Sequence, residues 1–269
     1  MDQNQRAQYA EAMYLLKSSA QRPYYEARVD DENKLAYYNG FDIGGSGVLK
    51  NLAKLVSDTH RQTLSYAPYR HLYPWVDLHE NMTLKSIYSG TGIDPVSAIE
   101  ADIAALKQFG EAGVLAGDVK LNCEHVVPQS WFGKKEPMRG DLHHLFACEP
   151  SCNSRRGNSR YYDFPGYPPL AMEVREGCGK AENNFFEPQY GKGQAARATL
   201  YFFIRYGSDF LERADMDLMI EWHLSNPVTL YEKHRNAAIH EIQGNRNPFI
   251  DFPDLAGNMN IENNKKAVQ

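Results

Sequence analysis

Apolar residues along this chain recur mostly at three- to four-residue intervals, the spacing that puts them on one face of a helix. Residues 5–20 (QRAQYAEAMYLLKSSA) follow that pattern with few breakers, so a helix is expected there. Val48 to Leu64 has apolar residues at 48, 49, 52, 55 and 56, which predicts an amphipathic helix. Residues 95–109, opened by Pro95, predict another. Gln194 to Tyr206, apolar at 195, 196, 199, 200, 203 and 204, is the strongest; residues 209–224 and 227–242 suggest two more. Between these, residues 24–45, 65–83, 163–193 and QGNRNPFIDFP read as loop or irregular chain. The final NMNIENNKKAVQ reads as a polar, frayed tail over about 258–269.

The period changes near the middle of the chain. LKSIYSG (84–90) reads as a short strand. Val119 to Val127 is β-like, a polar loop runs to Asp141, and LHHLFAC returns β-like. Residues 151–158 follow as a helix start, with Ser151 a candidate N-cap. A compact ββα unit over about 119–165 is expected, inside one helix-rich α+β domain spanning residues 1–269.

Composition narrows the classes. Of 269 residues, 42% are hydrophobic and 23% charged, ordinary values for a globular chain. No apolar run approaches the ~20 residues of a membrane span. The N-terminus lacks a basic region followed by an apolar core, so it does not read as a secretory signal. The net charge of −5 supplies no global attraction for a polyanion. Locally, Lys120 to Arg160 holds seven Lys/Arg against four Asp/Glu, and Gly191 to Tyr206 has Lys192, Arg197 and Arg205 without an acid. Such stretches are compatible with a nucleic-acid surface and equally with an ordinary mixed one. Cys123, Cys148, Cys152 and Cys178 leave disulfides, free thiols and a zinc site all open.

The chemistry sits in CEHVVPQSWFG (123–133), DLHHL (141–145) and CNSRRGN (152–158). Phosphodiester hydrolysis needs an activated water and positive charge on the phosphate. A histidine serves the first and a hard cation on oxygen ligands the second. Glu124 and Asn153 offer a sparse oxygen set that favours magnesium, and Arg155, Arg156 or Arg160 could clamp a phosphate. One geometric objection stands: neighbours on a strand face opposite sides. The strand must therefore twist or end at Glu124 and His125, and Pro128 makes an ending plausible. Each residue also has an ordinary reading, as a buried histidine, a surface carboxylate, a helix cap or a turn.

EHVVPQSWF, DLHHL and NSRRGN, taken in order, resemble the endonuclease I family of ββα-metal (His-Me finger) nucleases. GSGVLKNLAKLVSDTH, YRHLYPWVDLHEN and IYSGTG resemble its N-terminal half. FEPQYGKGQAARATLYFFIRYG, NPVTLYEKHRN and QGNRNPFIDFP resemble its C-terminal half, so the likeness covers roughly residues 35–255. It implies a magnesium-dependent, largely sequence-non-specific endonuclease (hydrolase) acting on DNA and RNA through the phosphate backbone, with 5′-phosphate products. Manganese or calcium could occupy the same site. It implies His125 as general base, held through its far ring nitrogen by a carbonyl, Glu124 and Asn153 as metal ligands, and Arg156 at the phosphate. Asp141, His143, Asn158 and Arg246 take supporting or substrate-contacting places; Arg139 is the candidate for the family's loop arginine. A secreted or periplasmic monomer is expected. The rival readings are an RNA-dedicated or sequence-restricted nuclease of the same fold, a non-catalytic zinc-stapled nucleic-acid module, and an inactive relative.

Overall fold

The computed structural model describes residues 1–45, 47–112, 123–167, 177–207 and 213–258. The fold is α+β and helix-rich. The expected helices are present as α1 (Gln3–Ser19), α3 (Val48–Thr59), α5 (Pro95–Ala112), α7 (Lys192–Tyr206), α8 (Met216–Ser225) and α9 (Leu230–Gln243). Helix α3 stops five residues before the expected Leu64, where a left-handed Gly244 brings the end of α9 against the Thr59 carbonyl. The tail expected to fray lies almost wholly outside the described residues, as do positions 119–122 of the first expected strand.

Several segments expected to be irregular are ordered. Helix α2 (Ala27–Tyr37) occupies the stretch assigned to loop. It buries only Asp30, so it has no apolar stripe to betray it. Short helices α4 (Pro68–His71) and α10 (Pro248–Asp251) each begin on a proline, which suits a first helical turn. The Pro- and Gly-rich 163–193 segment contains a hairpin, β6 (Gly179–Glu182) and β7 (Phe185–Pro188), turned at left-handed Asn183 and Asn184. Strand β5 (Arg160–Tyr161) adds to it in parallel, giving the order β5-β7-β6. The strand expected at 84–90 shrinks to β1 (Leu84–Lys85), paired with β2 (Gly92–Ile93).

At the centre lies the expected ββα unit: β3 (Cys123–His125), β4 (Leu145–Ala147) and α6 (Pro150–Arg156). The strands run antiparallel, with Cys123 opposite Ala147, Glu124 opposite Phe146 and His125 opposite Leu145. Both faces of this ribbon are buried. Cys123, Leu145 and Ala147 join a core with Tyr69, Leu72, Tyr73, Ile99 and Ile103. Val126, Phe146 and Cys148 join a second core built on α7, with Leu200, Tyr201 and Trp222. LHH of LHHLFAC is a 3₁₀ turn capped by the Asp141 carboxylate on the His143 amide, so β4 begins only at Leu145. The N-cap of α6 is Glu149 and not Ser151, because Pro150 takes the first helical position.

Downstream residues fix this ribbon. Arg235 on α9 donates to the carbonyls of Leu142 (3.0 Å) and Leu145 (2.8 Å) and pairs with Asp77. The other oxygen of Asp77 accepts from the Ala147 amide at 2.6 Å. The Arg235 guanidinium also lies 3.9 Å from the Phe146 ring centroid. A disulfide joins Cys152 on α6 to Cys178 ahead of β6, while Cys123 and Cys148 are buried free thiols. A zinc staple through all four cysteines is therefore excluded.

Candidate active site

Glu124 and His125 leave the ribbon toward different walls, as strand alternation requires. Strand β3 ends at His125, as the objection from alternation demanded. The Glu124 carboxylate is 2% exposed. Its Oε1 accepts from the Tyr88 hydroxyl at 2.6 Å and lies 3.1 Å from Nη1 of Arg156. Tyr88 in turn shares a 2.7 Å hydroxyl contact with Tyr161. The backbone amide of His125 adds to the groups that favour the charged carboxylate. Burial, opposed by Arg156 and the Tyr88 hydroxyl, pushes the carboxyl up to about 7. An acid held in so dry a place gains by having a cation near it.

His125 stands in an aromatic enclosure. Its ring centroid is 5.0 Å from Tyr66, 5.3 Å from His144 and 6.5 Å from Phe132. Nε2 lies 3.0 Å from the carbonyl of Arg139. A carbonyl only accepts, so Nε2 carries the hydrogen and Nδ1 is left bare. Burial, with His144 adding to it, holds this imidazole well below its ordinary range, so it is neutral near pH 7. The Arg139 carbonyl is placed by the next residue, Gly140. A Cβ there would collide with the Leu64 carbonyl, and its amide donates to Glu136 at 2.8 Å.

Asn153 comes from the middle of α6. Its Nδ2 donates to the Cys123 carbonyl at 2.9 Å, fastening the helix to the strand that carries Glu124 and His125. The ββα unit thus ties Asn153 to the strand that carries Glu124 and His125, whose side chains enter separate surroundings.

Arg156 behaves differently from the expected phosphate contact. Its guanidinium is 1% exposed. Besides Glu124, it donates to the carbonyls of Val126 at 2.6 Å and His125 at 3.2 Å, and it lies 4.9 Å from the Tyr161 ring centroid. A phosphate could reach it only by dismantling that network. The basic stretches are also less superficial than their sequence suggests. Arg197 is buried on Glu232, and Lys192 bonds to Asp163 and Glu187. Lys134, Lys135 and Arg160 remain exposed, with Arg139 and Arg155 half-buried.

The other expected site residues fall into two groups. Asp141 is wholly buried and accepts from Tyr201 (2.7 Å), Tyr206 (2.8 Å) and Gln243 (3.0 Å). Burial would raise its carboxyl, but His143, His60, His144 and the Gln243 bond outweigh it and hold it low. His143 lies tilted against Tyr201 with ring centroids 4.2 Å apart, and burial lowers it to about 4. Arg246 is buried between Asp30 and Asp251 at 2.9 and 2.8 Å, tying α2 to α10. Asn158 lies in the exposed turn beyond α6, its side chain making no hydrogen bond among the described residues. Tyr66, Tyr88 and Tyr161 went unnoticed in the sequence. Tyr88 lies within IYSGTG, but nothing in the spacing there points to a distant carboxylate.

Comparison with known proteins decides the family. The family description Endonuclease I matches residues 45–254, well over half of the chain. This chain belongs to the Endonuclease I family. Among similar curated proteins is an extracellular deoxyribonuclease from Aeromonas hydrophila, 30% identical over 151 residues, 49% of this chain and 66% of that protein. A periplasmic deoxyribonuclease from the same organism is likewise 30% identical, over 63% of its length. An extracellular ribonuclease from Bacillus amyloliquefaciens is 34% identical over 157 residues, 50% of this chain and 52% of that protein. The chain therefore spans just under two thirds, or about half, of the length of these relatives. In this Endonuclease I chain, no helix among the described residues is long and apolar enough to cross a membrane.

Proposed function

We propose that this chain is a divalent-metal-dependent endonuclease that hydrolyses phosphodiester bonds of DNA and RNA with little sequence preference. The observation that carries the reading is the pairing of His125 Nε2 with the Arg139 carbonyl, which presents a neutral imidazole with a bare Nδ1. Next to it in sequence is the buried Glu124 carboxylate, held by Tyr88 and Arg156. Family membership and nuclease-named relatives support the same reading.

In this reading Nδ1 of His125 takes a proton from the attacking water, as a general base. The Arg139 carbonyl keeps the tautomer, and the Tyr66, His144 and Phe132 rings keep the orientation. A divalent ion, when bound, would supply positive charge to the phosphate and the leaving oxygen. Arg156 holds Glu124 and the end of β3 in place. Attack by water, and not by a ribose 2′-hydroxyl, admits both DNA and RNA. It is expected to leave 5′-phosphate and 3′-hydroxyl ends. The Cys152–Cys178 disulfide and the extracellular or periplasmic names of relatives support work outside a reducing compartment.

The test is cleavage of supercoiled plasmid and of RNA, side by side, by the wild type with magnesium and with EDTA. Cutting of both substrates with magnesium alone is expected. Cutting of RNA only would favour the ribonuclease reading, and cutting in EDTA would overturn the metal dependence.

A further inference from the structure

The three-stranded sheet turns one face toward the candidate site and the other to solvent. Tyr161, buried, belongs to the hydroxyl network of Glu124. Its neighbours in β5 and just beyond, Arg160 and Tyr162, point the opposite way by strand alternation. Arg160 stands in register with Phe185 of β7. Tyr162 is 38% exposed and Phe185 37%. Their ring centroids are 4.9 Å apart, and Phe164 meets Tyr162 edge-on at 5.0 Å. Lys180 Nζ lies 4.8 Å from the Phe164 centroid.

Clustered rings held half in water have a cost that an isolated exposed aromatic does not. The charges beside them indicate what would cover them. Arg155 lies in the last turn of α6 and Arg160 opens β5, in register with Phe185. Neither has a carboxylate partner among the described residues; Arg155 uses its Nε on the Gly179 carbonyl at 3.1 Å. Among the described residues of this sheet and its flank the acids are engaged: Glu182 with Lys180 at 3.4 Å, and Asp163 and Glu187 with Lys192. Two guanidinium groups without a carboxylate partner among the described residues, on the same chain segment as a cluster of half-open rings, match a polyanion whose bases are free to stack.

We propose that Tyr162, Phe185 and Phe164 form a stacking platform for unpaired bases, so that the protein holds single-stranded nucleic acid beside its active site. Arg155 and Arg160 take the intervening phosphates. The proposal rests on the nuclease reading and adds a preferred substrate form, single-stranded over duplex.

The test is binding of labelled oligo-dT, and of an abasic oligomer of the same length, in EDTA so that nothing is cut. Wild type is expected to bind oligo-dT more tightly than the abasic strand. The double variant Tyr162→Ala/Phe185→Ala should lose on the order of tenfold or more on oligo-dT and little on the abasic strand. It should cut duplex plasmid as wild type does. Tyr162→Trp keeps a ring, should keep the binding, and should show fluorescence quenched by oligo-dT; it decides the matter if the double variant melts early. Equal binding of the two oligomers by wild type, or unchanged binding by the double variant, overturns the platform. So does a change seen only in self-association by light scattering, which would make this face a contact between copies of the chain. Failure of the nuclease reading is a separate outcome, silence of the wild type on plasmid and RNA with magnesium.

Discussion

Nη1 of Arg156 lies 3.1 Å from Oε1 of Glu124, with both side chains withdrawn from solvent. Breaking such a pair leaves a buried charge uncompensated, which costs roughly 3–5 kcal/mol. Arg156→Ala should therefore lower unfolding stability by about that much, read by urea titration. Arg156→Lys should not restore it, because one ammonium cannot serve the carboxylate and the Val126 and His125 carbonyls together. A variant that keeps full stability and loses only substrate affinity would return Arg156 to the phosphate.

His125→Ala should keep the fold and lose on the order of a hundredfold or more in plasmid cleavage, the usual scale for a general base. Circular dichroism checks the first part and a timed cleavage assay with magnesium the second. Wild-type rates in the variant would move the reaction away from this ribbon.

Tyr88→Phe removes the 2.6 Å hydrogen bond to Glu124 while keeping the ring. Partners that orient a metal ligand are worth roughly 10–100-fold in metal affinity. The magnesium concentration giving half-maximal cleavage should rise by that order, with the rate at saturating magnesium much less affected. An unchanged magnesium curve would mean that Tyr88 does not help to set the ligand.

Asp102, on α5, offers a pH test of stability. It is buried and accepts from the Tyr69 amide at 2.9 Å; burial, partly opposed by that bond, pushes its carboxyl up to about 7. The unfolded chain releases this proton near pH 4, whereas the native chain keeps it until about 7. Its contribution to stability is therefore greatest below about pH 4, declines as pH rises, and levels off above about 7. Asp102→Asn keeps an acceptor for Tyr69 and has no charge to bury. It should melt above wild type at pH 7.5 by an amount that shrinks toward pH 4. A gap independent of pH would show that the carboxyl ionises normally.

Replacing both Cys152 and Cys178 by serine opens a loop of 26 residues. Loop-closure entropy puts the loss at about 3 kcal/mol. Denaturant unfolding of the oxidised wild type and the double variant measures it. Equal midpoints would mean that the bond does not restrain the unfolded chain.

The sequence carried the long elements and the order of the site motifs. Helix α7 could be read from its spacing because eleven of its fifteen residues are buried. The ββα unit was legible because β3, β4 and α6 differ in period over a short span. Helix α2 was not, since it docks through Asp30 to Arg246 and through Tyr38 to Asp251, polar contacts 216 and 213 residues away. The β6–β7 hairpin was hidden by the turn-forming residues around it. At the site, Glu124, His125 and Asn153 could be picked out by type and position. The role of Arg156 could not: a guanidinium on a phosphate and one on a buried carboxylate look alike in sequence, and only burial separates them.

The clasp of Arg235 on the ribbon has a consequence for synthesis. The carbonyls it holds were made 93 and 90 residues earlier, and its partner Asp77 came 158 residues earlier. A nascent chain that has just emitted the ββα segment lacks the group that fixes β4, and it cannot close the ribbon between two finished cores. The last clamp on the ribbon therefore comes from α9, long after the strands it fastens have been made.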